Sequence, residues 1–149
     1  MATLLIVHQS PTPKLAAIAA AVVSGATDDS IEGVDVRVVS ALDATARDVI
    51  AADAYVLGTA AHFGYISGAL KHFFDTTYNE VREVTQKRPF TYWIHGGYDT
   101  TGAERAMDAI TTGLGWRLAC EPLVFVGDFT AEHEESAVEL GGTLAALIS

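Results

Sequence analysis

The sequence predicts a doubly wound α/β domain: a five-stranded parallel sheet in the order 2-1-3-4-5, with helices on both faces. Three observations predict it. Continuous apolar runs such as "TLLIV" (3–7) and "AYVLG" (54–58) have the character of strands covered on both sides. Segments with apolar residues at helical spacing lie between the strands, so strand and helix alternate along the chain. The 149 residues suit one domain, 1–149, and about five strands favour this order over its six-stranded relative.

Each element follows from local chemistry. After the first strand, "PKLAAIAAAVVSGA" places Leu15, Ile18, Ala19, Val22 and Val23 on one helical face and stops at Gly25. "VDVRVV" (34–39) alternates as a strand with one wetter face. "LDATARDVIAAD" (42–53) predicts a short helix capped by Asp43 and turning Val49 and Ile50 inward. Strand three is "AYVLG", and the next helix starts near Ser67, with Leu70, Phe73, Phe74 and Thr77 on its buried face. Lys71 and Asp75 are spaced to pair on its outer side. "PFTYWIHG" (89–96) is strand four. "TGAE" (101–104) has the spacing of a capping box for a helix through Met107, Ile110 and Leu114. "EPLVFVG" (121–127) is strand five. The last helix follows Thr130, with acids in its first turn and Leu140, Leu144 and Ile148 inward.

Composition narrows the function. Nine basic and 19 acidic residues leave a formal charge of −10, which repels a nucleic-acid backbone or an anionic membrane surface. Cys120 is the only cysteine, so no internal disulfide and no cysteine metal cluster can form. The five histidines have no metal-binding spacing, and no metal ligand is assigned. No run of about 18 apolar residues is present, and no basic region precedes the first strand. These features predict a cytoplasmic protein without membrane insertion.

In this architecture ligands lie beyond the carboxyl ends of the strands. The loop after strand one, "HQSPTPK" (8–14), opens a helix whose first amides and dipole attract anions. Ser10 and Thr12 add hydroxyls, Pro13 suits the first helical position, and Lys14 adds charge. The loop after strand three, "GTAAHFGY" (58–65), carries His62, Phe63 and Tyr65 between two glycines. After strand four, "HGGYDT" (95–100) repeats the theme with Gly96, Gly97 and Tyr98. Two glycine-and-aromatic loops beside an anion cradle describe a slot for a flat ring carrying one phosphate, and FMN is the best candidate. Neither GxGxxG nor GxxxxGK[ST] occurs, so dinucleotide and P-loop readings lose their fingerprints.

The segment "ADAYVLGTAAHFGYISGALKHFFDTT" (52–77) resembles the third-strand region of flavodoxin-like FMN proteins. Gly58, Thr59, Gly64, Ser67, Gly68, Lys71, Phe73 or Phe74, and Asp75 fall in register with AD-apolar-GTPxxxGxxSGxxKxFxD. The chain is similar to NADPH-dependent FMN reductases and to the tryptophan-repressor-binding-protein type of NAD(P)H:quinone oxidoreductase. The resemblance implies a flavodoxin-like three-layer sandwich that binds FMN, with NAD(P)H as donor. It implies that Ala60, Ala61, His62, Phe63 and Gly64 border the isoalloxazine, mainly through backbone groups. It likewise implies that His95, Gly96, Gly97 and Tyr98 form the opposite wall and that Ser10, Thr12, Pro13, Lys14 and Leu15 form the phosphate site. Two departures stand out: Ala60 replaces the proline after GT, and "SPTPKL" replaces SxTGxT, which removes a hydroxyl and an amide.

The reading is therefore an FMN-dependent NAD(P)H oxidoreductase passing electrons to a quinone or similar acceptor. No acid–base residue is assigned, because the chemistry belongs to the cofactor. A flavodoxin-type carrier for a protein partner needs the same pocket plus an acidic docking face, and a cofactor-free interaction module is the third reading. A homodimer is compatible with all three. A receiver domain fails, because His8-Gln9 offers no acidic pair and strand three ends in Gly58-Thr59 with no phosphoacceptor aspartate.

Overall fold

The computed structural model describes residues 1–149. Its elements alternate as β1 (Ala2–His8), α1 (Pro13–Ala26), β2 (Val34–Ser40), α2 (Ala46–Ala51), β3 (Ala54–Ala60), α3 (Gly68–Val81) and β4 (Pro89–Gly96). α4 (Thr101–Leu114), β5 (Arg117–Leu118), β6 (Leu123–Val126) and α5 (Ala131–Ile148) complete the chain. All pairings are parallel, in the order β2-β1-β3-β4-β5, and β6 also lies on β4. The predicted order is therefore present, with the fifth strand in two pieces. Pro122 has no N–H to donate to a ladder, and the break falls immediately before Leu123.

Strand alternation sorts the core into two layers. Leu5, Val7, Tyr55, Leu57, Tyr92 and Ile94 pack against α2, α3 and α4. Leu4, Ile6, Ala54, Val56 and Trp93 pack against α1 and α5. The α1–α5 contact depends on small residues. A Cβ on Gly25 would strike the carbonyl of Val138, and one on Gly141 the carbonyl of Val22. Tyr55 stacks on Trp116 at 4.1 Å between ring centroids. The Arg88 guanidinium donates to the carbonyls of Ile50 (2.8 Å) and Ala52 (2.7 Å), serving groups left over at the end of α2.

Several caps match expectation. Ser67 Oγ accepts the Leu70 N–H at 3.1 Å, Thr130 caps α5, and Lys71 meets Asp75 at 2.7 Å. Two caps are corrected. Asp43 does not cap α2; its amide closes a turn onto the Ser40 carbonyl at 2.9 Å. Thr45 caps instead, because Asp48 returns a bond to the Thr45 amide and completes a capping box. "TGAE" forms no box either. The Asp99 carboxylate, a stronger acceptor, takes the N–H and hydroxyl of Thr101 at 3.0 and 2.8 Å, and Thr100 donates to Glu104.

Helical Gly→Ala changes normally favour a helix by up to about 1 kcal/mol. Gly141→Ala is expected to do the reverse and cost roughly 1–3 kcal/mol, the range for overpacking. Urea unfolding of the two proteins measures the difference.

Candidate functional site

The parallel sheet delivers three loops to one edge. His8 at the end of β1 registers with Gly58 in β3, and Ala60 registers with His95 in β4. The Ala61 N–H donates to the His95 carbonyl at 2.9 Å, which ties the loop after β3 to the end of β4. Gly64 reaches the first turn of α4, where any side chain on Gly102 would strike the Gly64 carbonyl. The loops after β3 and β4 are thus packed together.

In the loop after β1, Thr12 caps α1 by accepting the Leu15 N–H at 3.3 Å, with Pro13 in the first turn. The amides of Ser10, Thr12 and Lys14 find no backbone carbonyl, so three donors are left unspent at this helix start. The Ser10 hydroxyl lies 2.8 Å from His8 Nδ1. Burial pushes the His8 pKa below its ordinary value. Leu15 contributes its amide to the cap, while its side chain is buried against α5 and the sheet. Lys14 Nζ donates to the Gly127 carbonyl at 3.3 Å and stands 3.9 Å from Asp128.

In the loop after β3, His62 and Tyr65 exchange backbone hydrogen bonds of 2.8 and 2.9 Å around a two-residue turn. Both central residues have positive φ, Phe63 at 50° and Gly64 at 73°. Glycine tolerates this, but for phenylalanine it costs about 1–2 kcal/mol. The ring offsets none of that cost by burial, since Phe63 is fully solvent-exposed. Buried Thr59 holds the base of the loop. Its hydroxyl accepts the Ser67 N–H at 2.9 Å and donates to the Ala60 carbonyl at 2.8 Å. A strand end and a helix start are thereby joined through one side chain.

In the loop after β4, a side chain on Gly96 would crowd Thr100 and Ala61, whereas the space around Gly97 is open. Tyr98 is 94% exposed. The amides of Phe63, Gly64, Gly97 and Tyr98 also lack carbonyl partners. His95 differs from its sequence expectation. Nε2 donates to the Gly127 carbonyl at 2.7 Å and the ring packs edge-on against Phe125, so only its backbone reaches Ala61. Asp99, held below the usual carboxylate range by the Thr101 backbone N–H, stands beside Tyr98.

These features fit FMN: unspent amides and hydroxyls for a phosphate, and two glycine loops with exposed rings for a planar group. Sequence reasoning brought Ser10, Thr12 and Lys14 to one loop, and Ala60 to Gly64 opposite Gly96 to Tyr98. It missed Thr59 as the clamp, Gly102 as the surface that admits Gly64, and Gly127 as the shared acceptor. A polar residue ending an otherwise apolar strand was the available signal for Thr59. No local pattern marks Gly127.

The model of the NADPH-dependent FMN reductase family matches residues 7–117. A flavodoxin from Aquifex aeolicus (strain VF5) is 28% identical over 112 residues, covering 74% of this chain; the aligned stretch spans 60% of that relative's length. Among solved structures, an archaeal flavodoxin superposes with a TM-score of 0.82 at 19% identity, covering 98% of each chain. A WrbA-like flavodoxin from Agrobacterium tumefaciens superposes with a TM-score of 0.75 at 17% identity, covering 98% of this chain and 96% of its own. At such identities the superpositions speak for the fold.

Thr59→Val keeps the shape of the side chain but leaves the Ser67 N–H and the Ala60 carbonyl without their partner. The expected loss is about 1–3 kcal/mol of stability, measured by denaturant unfolding. Ser67→Ala, which removes only the cap, is expected to cost about 1 kcal/mol.

Proposed function

We propose a function from one premise: the chain belongs to the NADPH-dependent FMN reductase family. FMN is its cofactor, and the chain acts as an NAD(P)H-dependent oxidoreductase that passes electrons to a quinone or a similar acceptor. One observation carries the reading. At one edge of the sheet, Gly64 and Gly97 leave open space where a side chain would stand, their neighbours Phe63 and Tyr98 are exposed, and the amides at the α1 start are unspent.

When bound, FMN supplies hydride acceptance from the nicotinamide and electron delivery to the acceptor. The chain's own groups bind and orient. Amides of Ser10, Thr12 and Lys14 hold the phosphate, with the helix dipole supporting them, while the Lys14 ammonium is turned to Gly127 and Asp128. Phe63 and Tyr98 flank the ring, and the free amides of Phe63, Gly64, Gly97 and Tyr98 supply fixed donors where charge develops. Ala60 is buried in the core, and the half-buried Ala61 keeps its side of the site small, which leaves room for a nicotinamide. No helix is long and apolar enough to cross a membrane, and a cytoplasmic location belongs to this reading. A carrier role for a protein partner is the second reading, favoured by the −10 charge.

FMN is expected to bind more tightly than riboflavin, because only FMN engages the α1 start; parallel titrations measure this, and equal affinities would sink the phosphate assignment. Gly97→Val should leave the ligand-free protein as stable as the wild type while abolishing flavin binding. Gly64→Val should also lose stability, because its φ is positive. Anaerobic mixing of FMN-loaded protein with NADPH or NADH separates the two roles: direct bleaching of the flavin identifies the reductase. If neither nucleotide bleaches it over many minutes, the carrier reading stands.

A further inference from the structure

His8 lies at the inner end of the phosphate loop. Three neighbours in register, His8, Gly58 and Trp93, cross the sheet from β1 to β4. Gly58 has no side chain, so the Trp93 indole lies over it, and its ring comes within 5.7 Å of the imidazole. Trp93 Nε1 is the one buried side-chain polar atom without a partner. On its other side His8 meets the Ser10 hydroxyl at 2.8 Å. The hydrogen bond can run either way, and its direction decides what Ser10 offers a ligand. If Nδ1 accepts, the Ser10 proton is spent on His8 and only lone pairs face an anion. If Nδ1 donates, the hydroxyl proton is free for a phosphate oxygen.

We propose that His8 is a positioning residue for the phosphate site: binding of FMN draws a proton from solvent onto His8 Nδ1, which turns the Ser10 hydroxyl toward the phosphate. This rests on the FMN reading above. The step moves one proton and breaks no covalent bond of the ligand. Before binding, neutral His8 accepts from Ser10; afterwards the imidazolium donates to Ser10 Oγ, and Ser10 donates to a phosphate oxygen.

The surroundings make the proton conditional on the ligand. Burial alone disfavours the imidazolium in the free protein. No carboxylate of the packed elements compensates: burial is the cause that acts on His8. This holds although α5, which covers the same layer, carries Glu132, Glu134, Glu135, Glu139 and His133, the last turned to Thr130 and the Asp128 carbonyl. On α1 the sole ionisable residue is Lys14, directed to Gly127 and Asp128. β2 presents Ser40 in register with His8, while its charged pair, Asp35 and Arg37, is closed on itself at 3.0 Å. β3 presents Gly58. β4 presents Trp93; its His95 is tied to Gly127, and the tyrosines of both strands, Tyr55 and Tyr92, face the opposite layer. A phosphate dianion is therefore the charge that holds a proton on His8. The same step frees a hydroxyl donor in a loop where Leu15 offers none.

Calorimetric titration with FMN at pH 7, in two non-phosphate buffers of different ionisation enthalpy, tests this. Wild-type protein is expected to take up a fraction of a proton with FMN and none with riboflavin. In His8→Asn, whose amide N–H keeps the bond to Ser10, FMN should still bind, and that fraction should vanish. The wild-type advantage over His8→Asn should grow as pH falls from 8 to 6, by at most tenfold per unit for one coupled proton. Equal proton uptake in both proteins, or none in the wild type, overturns the proposal and leaves FMN binding standing. Failure of FMN to bind at any pH overturns the cofactor reading, and this inference with it. Should His8→Asn fail to fold, an NMR titration of the wild-type His8 ring decides: its pKa must be higher with FMN bound than without.

Discussion

A parallel strand cannot return directly to its neighbour. Each connection must cross a face of the sheet and re-enter at the same end, and a helix is the usual means. That constraint organises this chain. It covers β1, β3 and β4 on both faces, so their residues must be apolar on both sides, and it brings every strand to one edge at its carboxyl end. The loops after β1, β3 and β4 are brought together there by the sheet, and the Ala61 N–H to the His95 carbonyl then fastens two of them. Their chemistry is free to vary because the sheet carries the stability.

Rigidity at that edge has identifiable sources. Thr59 spans the base of one loop, the Ala61 amide pins it to β4, and the bare backbone of Gly102 lets Gly64 approach α4. The strained Phe63 turn is held from both ends by these contacts. Gly127 plays the matching part on the far side. Its carbonyl gathers His95 and Lys14, and its amide donates to Gly96 at 3.2 Å. Polar groups thus set the loop shapes, and the aromatic rings are left free.

The sheet order and the helix faces were legible in the sequence because they depend on periodicity, a property summed over many residues. Leu15, Leu70, Phe73 and Leu140 lie on the buried faces that their spacing implied. Ile50, by contrast, expected inward beside Val49, is exposed because the six-residue α2 buries a single position. Helix starts were legible where one acceptor had no rival, as at Ser67 and Thr130. They failed where neighbours competed: Thr45 displaced Asp43 by recruiting Asp48, and Asp99 displaced Thr101 by being charged. At the site, the loops and their exposed rings could be read directly. The directions of His95 and Lys14 could not, because both follow a carbonyl more than thirty positions away in sequence.

The glycine contact between α1 and α5 has a kinetic consequence. Val22 meets Gly141, so this interface joins segments near opposite ends of the sequence and closes a very long loop. Until α5 arrives, Leu4, Ile6, Val56 and Trp93 lack part of their cover. A nascent chain therefore presents a half-dressed sheet, and its final collapse awaits the synthesis of α5. Non-local closure of this kind slows folding and lengthens the time in which apolar strands are open to other chains. Moving the break in the chain to another loop, so that α5 precedes β1, would turn that distant contact into a local one and speed assembly without altering a single packing partner.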